Sequence, residues 1–220
     1  MARVLITGTN QGIGLELARQ YVARGDAVLA TCRKPSEELQ AVGCEIIENV
    51  DVADDASVAA LAQVVGNRPL DMLINNAGIL TSESFDVLDY ARMQAQYDVN
   101  ALGPLRVTHA LNGNLGAGAK VGIVTSRVGS LDDNSSGGNY GYRMSKAAAN
   151  MAGVNLSHDL GPRGIAVALL HPGYVRTNMT GGNGLTDAAT AAAGLIERMD
   201  ALTLDSTGTF WHAEGYELPW

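Results

Sequence analysis

Cysteine is scarce: only Cys32 and Cys44 occur among 220 residues. With no Cys-x-x-Cys pair and no Cys/His cluster, neither a disulfide framework nor a structural metal site is expected. The four histidines, His109, His158, His171 and His212, are scattered and form neither a triad nor a ligand set. Charge is sparse as well, at 17% of residues, and its balance of −8 argues against nucleic acid or an anionic membrane as a partner. A local basic pocket for a phosphate stays compatible with that balance. No apolar run is long enough to span a bilayer, and the N-terminus has no signal-peptide pattern. Together with two free thiols this points to a reducing cytoplasm. Repeats and proline-rich or charge-rich linkers are missing too, so one globular domain over residues 1–220 is expected.

What is present is alternation. Short apolar runs rich in β-branched residues fall at Val4–Ile6, Ala27–Ala30, Glu45–Ile47, Met72–Ile74, Val121–Val124 and Ala166–Leu170. Between them, helical apolar spacing covers Gly14–Ala23, Ser57–Val65, about Tyr90 to Leu111, Tyr142 to Leu160 and Asp187 to Leu202. Strands alternating with helices imply parallel βαβ units. The runs show little period-two alternation, as expected when helices cover both sheet faces. The expected fold is α/β, a Rossmann-type doubly wound parallel sheet with helices on both faces. Asp132–Asn139 and Thr180–Thr186, rich in Gly, Asn, Ser, Asp and Thr, read as surface loops.

Directly after the first strand comes Thr7-Gly8-Thr9-Asn10-Gln11-Gly12-Ile13-Gly14. A pyrophosphate needs close backbone approach and donors from a helix N-terminus, and glycines permit both. The G-x-x-x-G-x-G spacing differs from the more familiar G-x-G-x-x-G fingerprint. By itself it is also compatible with a plain glycine-rich turn.

Further motifs follow in order, each after a strand: Asp51-Val52, Asn75-Asn76-Ala77-Gly78, Ser126 ahead of Tyr142-Arg143-Met144-Ser145-Lys146, and Pro172-Gly173-Tyr174-Val175-Arg176-Thr177. With the glycine loop, this series resembles the short-chain dehydrogenase/reductase family over nearly the whole chain. Ser145–Asn150 and the ending Gly215–Trp220 are similar to the C-factor/Sniffer-like small carbonyl reductases. The resemblance implies about seven strands and a nicotinamide dinucleotide held by Gly8, Asn10, Gln11, Gly12, Ile13, Gly14, Asp51, Val52, Asn76, Ala77, Gly78, Pro172, Gly173, Val175 and Thr177. It also implies that Asn100 supports Lys146 through a water, and that Lys146 holds the nicotinamide ribose. A homodimer or homotetramer is common in the family, but no residue pattern signals one independently.

The implied chemistry is hydride transfer between nicotinamide and a carbonyl or alcohol. A ketone gaining hydride develops negative charge on oxygen and needs a proton donor and hydrogen bonds there. Tyr142 is expected as general acid in reduction and general base in oxidation, with Ser126 bonding the substrate oxygen. Lys146, one helical turn on, is expected to lower the tyrosine pKa through its charge. Tyr140 is a decoy with no lysine four residues after it. Ser126 is preferred to Thr125 and Ser130 because the family serine shortly precedes a glycine, here Gly129. The interval of 16 residues from Ser126 to Tyr142 is longer than usual in the family, and the Asp132–Asn139 loop can absorb the excess. Leu80, Arg127, Val128 and Tyr174 could line the substrate site, and Met179 and Leu185 are the apolar candidates of a short lid.

Cofactor choice turns on another absence. An NAD site places an acidic residue near the end of the second strand. Here that strand runs into Cys32-Arg33-Lys34, with Arg33 19 residues after Gly14. An arginine there suits a 2′-phosphate, so NADP(H) is expected, with Lys34 as a possible second contact. Gln11 stands where many NADP-dependent relatives carry a basic residue. Two other readings stay open: a nucleotide-binding signalling protein of the same fold with little turnover, and a sugar-nucleotide epimerase, for which the chain is short.

Overall fold

A computed structural model describes residues 1–220. Seven strands form one sheet: β1 (Arg3–Thr7), β2 (Ala27–Thr31), β3 (Glu45–Ile47), β4 (Leu70–Asn75), β5 (Leu115–Val124), β6 (Ala166–His171) and β7 (Phe210–His212). Their order is β3-β2-β1-β4-β5-β6-β7, and every neighbouring pair is parallel. The chain reverses its direction of travel across the sheet between β1 and β4, and ligands of such sheets bind beyond the strand carboxyl ends at that point. The expected doubly wound α/β architecture is the observed one.

Helices α1 (Gly12–Ala23) and α7 (Ala188–Ala201) cover one face, while α3 (Asp55–Val65), α5 (Gly103–Ala110) and α6 (Tyr140–Leu160) cover the other. A short α2 (Glu37–Gln40) follows β2, and α4 (Tyr90–Tyr97) packs on α6. Successive strand residues face opposite layers. Val4 and Ile6 of β1 join Leu17, Tyr21, Leu195 and Met199 on one side, and Leu5 joins Leu61, Val107 and Leu160 on the other. Both faces therefore need apolar residues, which is why the strands read as continuous apolar runs. Glycine sits where layers touch: a Cβ on Gly122 would lie 2.7 Å from Met199 Sδ.

One detail differs from the sequence expectation, and the seventh strand is expected from the resemblance alone. The segment from Tyr90 to Leu111 is not one helix; α4 and α5 are joined by a π turn over Asp98–Leu102. Pro104 near the start of α5 has no N–H, which deprives the Asn100 carbonyl of its ordinary α-helical donor. β7 has three residues, too few to carry a pattern. No helix is long and apolar enough to cross a membrane.

Helices α3, α4 and α7 are started by their own aspartates, Asp54, Asp89 and Asp187, whose side chains accept from first-turn N–H groups. α1 and α6 have no such side-chain cap. Asp54 Oδ1 accepts from Ala56 N at 2.8 Å and Ser57 N at 3.0 Å. Asp54→Ala is expected to cost about 1 kcal/mol and lower Tm by roughly 2–4 °C in thermal unfolding, with activity unchanged.

Candidate active site

At the carboxyl edge of the sheet, Thr7 Oγ1 accepts from Asn76 N and Ala77 N, both at 3.0 Å. The Asn76 amide returns two bonds, to Thr7 O at 3.0 Å and Gly8 O at 3.1 Å. The glycine loop thereby lies directly on the turn after β4. A Cβ on Gly8 would stand 2.8 Å from Ala77 Cα, and one on Gly14 would stand 2.2 Å from Gly8 O. Gly8 and Gly12 also have φ of +71° and +58°. No other residue type fits this crossing without strain.

Above it opens a cleft of about 650 Å³ lined by Gly8, Asn10, Gln11, Gly12, Ile13 and Gly14 from the first loop. The uncapped start of α1 faces it, a place where backbone N–H groups and the helix dipole favour an anion. Asn10 Oδ1 is buried without a partner. Asp51 and Val52, and Asn76, Ala77 and Gly78, form further wall, as do Arg33 and Lys34 at one end. Arg33 and Lys34 are exposed, and no carboxylate of the chain pairs with either.

Tyr142 and Lys146 line the same cleft. Lys146 Nζ donates to Val124 O at 2.9 Å and stands 5.7 Å from the Tyr142 ring centroid. The position a Cβ would take on Gly78 is 3.6 Å from that Nζ, so the Asn-Asn-Ala-Gly turn closes over the lysine. Burial holds the Lys146 pKa down, to about 8. Burial also pushes the Tyr142 phenol up to about 12, and the neighbouring Ser126 hydroxyl offsets this only in part. The lysine is turned to the Val124 carbonyl, and burial is the main cause of the phenol's shift.

Ser126, expected at the substrate oxygen, is outside the cleft lining while Thr125 is part of it, and the Ser126 hydroxyl accepts from Val128 N at 3.4 Å; Gly129, in the same turn, packs on the α6 backbone. A Cβ there would be 2.7 Å from Lys146 C and 2.9 Å from Ala147 N. Asn100 lies outside the cleft lining. Its Oδ1 accepts from Ile79 N at 2.8 Å, and its Nδ2 donates to Ile79 O at 2.9 Å and Ser145 Oγ at 3.0 Å. Its side chain therefore braces the β4 turn and α6.

Of the motif after β6, Pro172 and Thr177 line the cleft and Gly173 and Val175 do not. Val175 is buried and bridges Thr186, while a Cβ on Gly173 would face Thr186 and the His212 ring. These two residues shape the turn. Leu80, Arg127, Val128 and Tyr174 are also outside the lining. Arg127 is held by Asp133, with Nε 2.7 Å and Nη2 2.6 Å from its Oδ2. Tyr140 is exposed and packs on Phe85, ring centroids 6.4 Å apart.

The model for short chain dehydrogenases matches residues 2–187. The chain belongs to that family, and it is an oxidoreductase. The 1-hydroxy-2-glutathionyl-2-methyl-3-butene dehydrogenase of Rhodococcus sp. (strain AD45) is 44% identical over 226 residues, covering 100% of both chains. C-signal of Myxococcus xanthus is 47% identical over 165 residues, 73% of this chain and 99% of that protein. Among solved structures, the NADPH-bound carbonyl reductase from chicken fatty liver superposes with a TM-score of 0.91 at 30% identity, over 100% of this chain and 99% of that one. The resemblance read from the motifs holds at the level of the family and of its small carbonyl reductases.

Sequence reasoning missed Ile79, Ala95, Asp98, Val99 and Asn178, which also line the cleft. Asn178 Nδ2 donates to Gln11 Oε1 at 2.7 Å and closes the rim between the first loop and the segment after β6. No motif marks that contact, because its partners are 167 residues apart. The contact between Gly129 and α6 yields a test. Gly129→Ala is expected to displace Ser126 from Tyr142 and lower turnover about tenfold to a hundredfold, with dinucleotide affinity by fluorescence titration unchanged.

Proposed function

We propose that this protein is an NADP(H)-dependent carbonyl reductase or alcohol dehydrogenase. The observation that carries the reading is one cleft with Tyr142 and Lys146 on its wall, Ser126 beside that phenol, and two unpaired cations, Arg33 and Lys34, at its edge. The residues present fit a dinucleotide. The Gly8–Gly14 crossing leaves a cradle that any Cβ would fill, the uncapped α1 start points at it, and Asn10 Oδ1 awaits a donor. Arg33 and Lys34 suit the 2′-phosphate by charge, and Lys146 suits the nicotinamide ribose. The chemistry that NADP(H) supplies when bound is hydride transfer. The NADPH bound to the chicken-liver carbonyl reductase supports the same assignment here.

In reduction, the Tyr142 phenol donates its proton to the substrate oxygen while Ser126 hydrogen-bonds that oxygen. A phenol with a pKa near 12 is protonated at neutral pH, as an acid must be. The buried Lys146 ammonium stabilises the phenolate left behind. In oxidation the roles reverse, and Tyr142 accepts the proton. The two free thiols, Cys32 and Cys44, fit a reducing cytoplasm as the place of action. A homodimer or homotetramer remains the assembly that the family suggests.

The deciding experiment follows NADPH consumption with a panel of aldehydes, ketones and quinones, and NADP⁺ reduction with alcohols that include a glutathione conjugate, the class in the Rhodococcus enzyme's name. NADPH binding without turnover on any of them would favour a signalling role of the kind that the name C-signal carries. Tyr142→Phe is expected to lower kcat by about 10²-fold or more and leave NADPH affinity nearly intact, because only the proton donor is lost. Tyr140→Phe should do far less; if it is the more damaging change, the tyrosine assignment is wrong. Wild type should prefer NADPH, and Arg33→Asp should shift the kcat/KM ratio of NADPH to NADH by about tenfold or more. An unchanged ratio in the mutant overturns the role of Arg33.

A further inference from the structure

Helix α6 carries both Tyr142 and Lys146, yet its own N-cap residue contributes nothing to its start. Asn139 is in the left-handed region, at φ +47°, and makes no side-chain capping bond. A first turn with free N–H groups, buried against neighbours, needs acceptors from elsewhere. They come from the loop after β4. Glu83 is only 5% exposed. Its Oε2 accepts from Gly141 N at 3.2 Å, and its main-chain carbonyl accepts from Asn139 N at 2.9 Å. Its Oε1 accepts from Thr81 Oγ1 at 2.6 Å and from Gln96 Nε2 at 3.0 Å. Gln96, fully buried in α4, completes the joint by accepting from Thr81 N at 3.0 Å. No basic side chain pairs with this carboxylate. Its three donors and the positive end of α6 take that place.

Three elements therefore meet at one carboxylate: the β4 loop that carries Ile79 into the cleft, α4 through Gln96, and the first turn of α6. The fit leaves no slack. A Cβ on Gly141 would be 2.4 Å from Gln96 Nε2 and 2.9 Å from Met93 Cα. Gly141 is the residue directly before Tyr142. A shift of this turn moves the phenol relative to Ser126, whereas Lys146, a turn deeper and tied to Val124 O, is held independently.

We propose that Glu83 is a positioning residue of the active site, whose carboxylate fixes the first turn of α6 and with it the place of the Tyr142 phenol. This rests on Tyr142 being the proton donor. Glu83→Gln keeps the shape of the side chain but sets an NH₂ against a donor on one side or the other, since both carboxylate oxygens accept.

Two measurements on the full-length protein test it. In hydrogen–deuterium exchange, Glu83→Gln should speed exchange of peptides spanning residues 139–146, with peptides of α1 and α3 unchanged. In kinetics, kcat should fall by about tenfold or more while KM for the carbonyl and NADPH affinity stay within about twofold. Asp89→Ala is the control, since it removes an ordinary cap, on α4, and should leave kcat unchanged. Thr81→Val, which deletes one donor to Oε1 and keeps the carboxylate, should show the same split at smaller size and serves if Glu83→Gln does not fold. The proposal is overturned if exchange over residues 139–146 is unchanged. It is equally overturned if kcat and NADPH affinity fall together, in step with Tm. Exchange needs no turnover, so a wild type inactive on every substrate would overturn the reading of Tyr142 as donor, while the exchange result still decides whether Glu83 holds that turn.

Discussion

Thr7 Oγ1, buried at the end of β1, accepts two main-chain N–H groups from the turn after β4, and the Asn76 amide answers with two bonds to the β1 side. The rest of the site depends on this staple. It brings the glycine loop onto the Asn-Asn-Ala-Gly turn where the strand order reverses, so α1 starts at the cleft wall with its N–H groups free. The same turn closes over Lys146, because Gly78 has no side chain to hold it off. Side chains would prop these segments apart, and the cleft would lose both its anion-binding end and its lysine. The four bonds of the staple offset the cost of burying these polar groups.

Burial then sets the chemistry. Desolvation disfavours the charged form of either group, so the same surroundings push the Tyr142 phenol up to about 12 and the Lys146 ammonium down to about 8. A Tyr-x-x-x-Lys pair on an exposed helix would show neither shift. The protein keeps the pair in place with contacts that involve neither phenol nor ammonium: Gly129 against the α6 backbone, Asn100 on Ile79 and Ser145, and Glu83 beneath Gly141. The π turn at Asp98–Leu102 belongs to this bracing, because it presents Asn100 inward between the β4 turn and α6.

Much of this was legible in the chain. The sheet could be read because its strands are buried on both faces and must be apolar throughout. The glycine loop could be read because a close crossing admits one residue type. Other features left no local trace. The break within Tyr90–Leu111 follows from Pro104 acting on a carbonyl four residues earlier, inside a segment whose apolar spacing is otherwise helical. Gly173 and Val175 belong to a recognisable motif, yet the fold of the Arg176–Thr186 loop takes both out of the cleft lining. β7 is too short to carry a period.

By itself the sequence determined the alternation of the first six strands with helices, the family, the chemical types at the strand ends and the absence of an acidic residue directly after β2. These are properties of residue type at fixed spacing, and local sterics and apolar periodicity express them without reference to the rest of the chain. Only the tertiary structure decided that Lys146 faces Val124, that Tyr142 gains rather than loses affinity for its proton, that Arg33 has no partner, and that Glu83 caps a helix 58 residues away. Each of these depends on which groups are desolvated together and which donors are left over. That is settled by packing between segments distant in the chain, and no spacing along the chain encodes it.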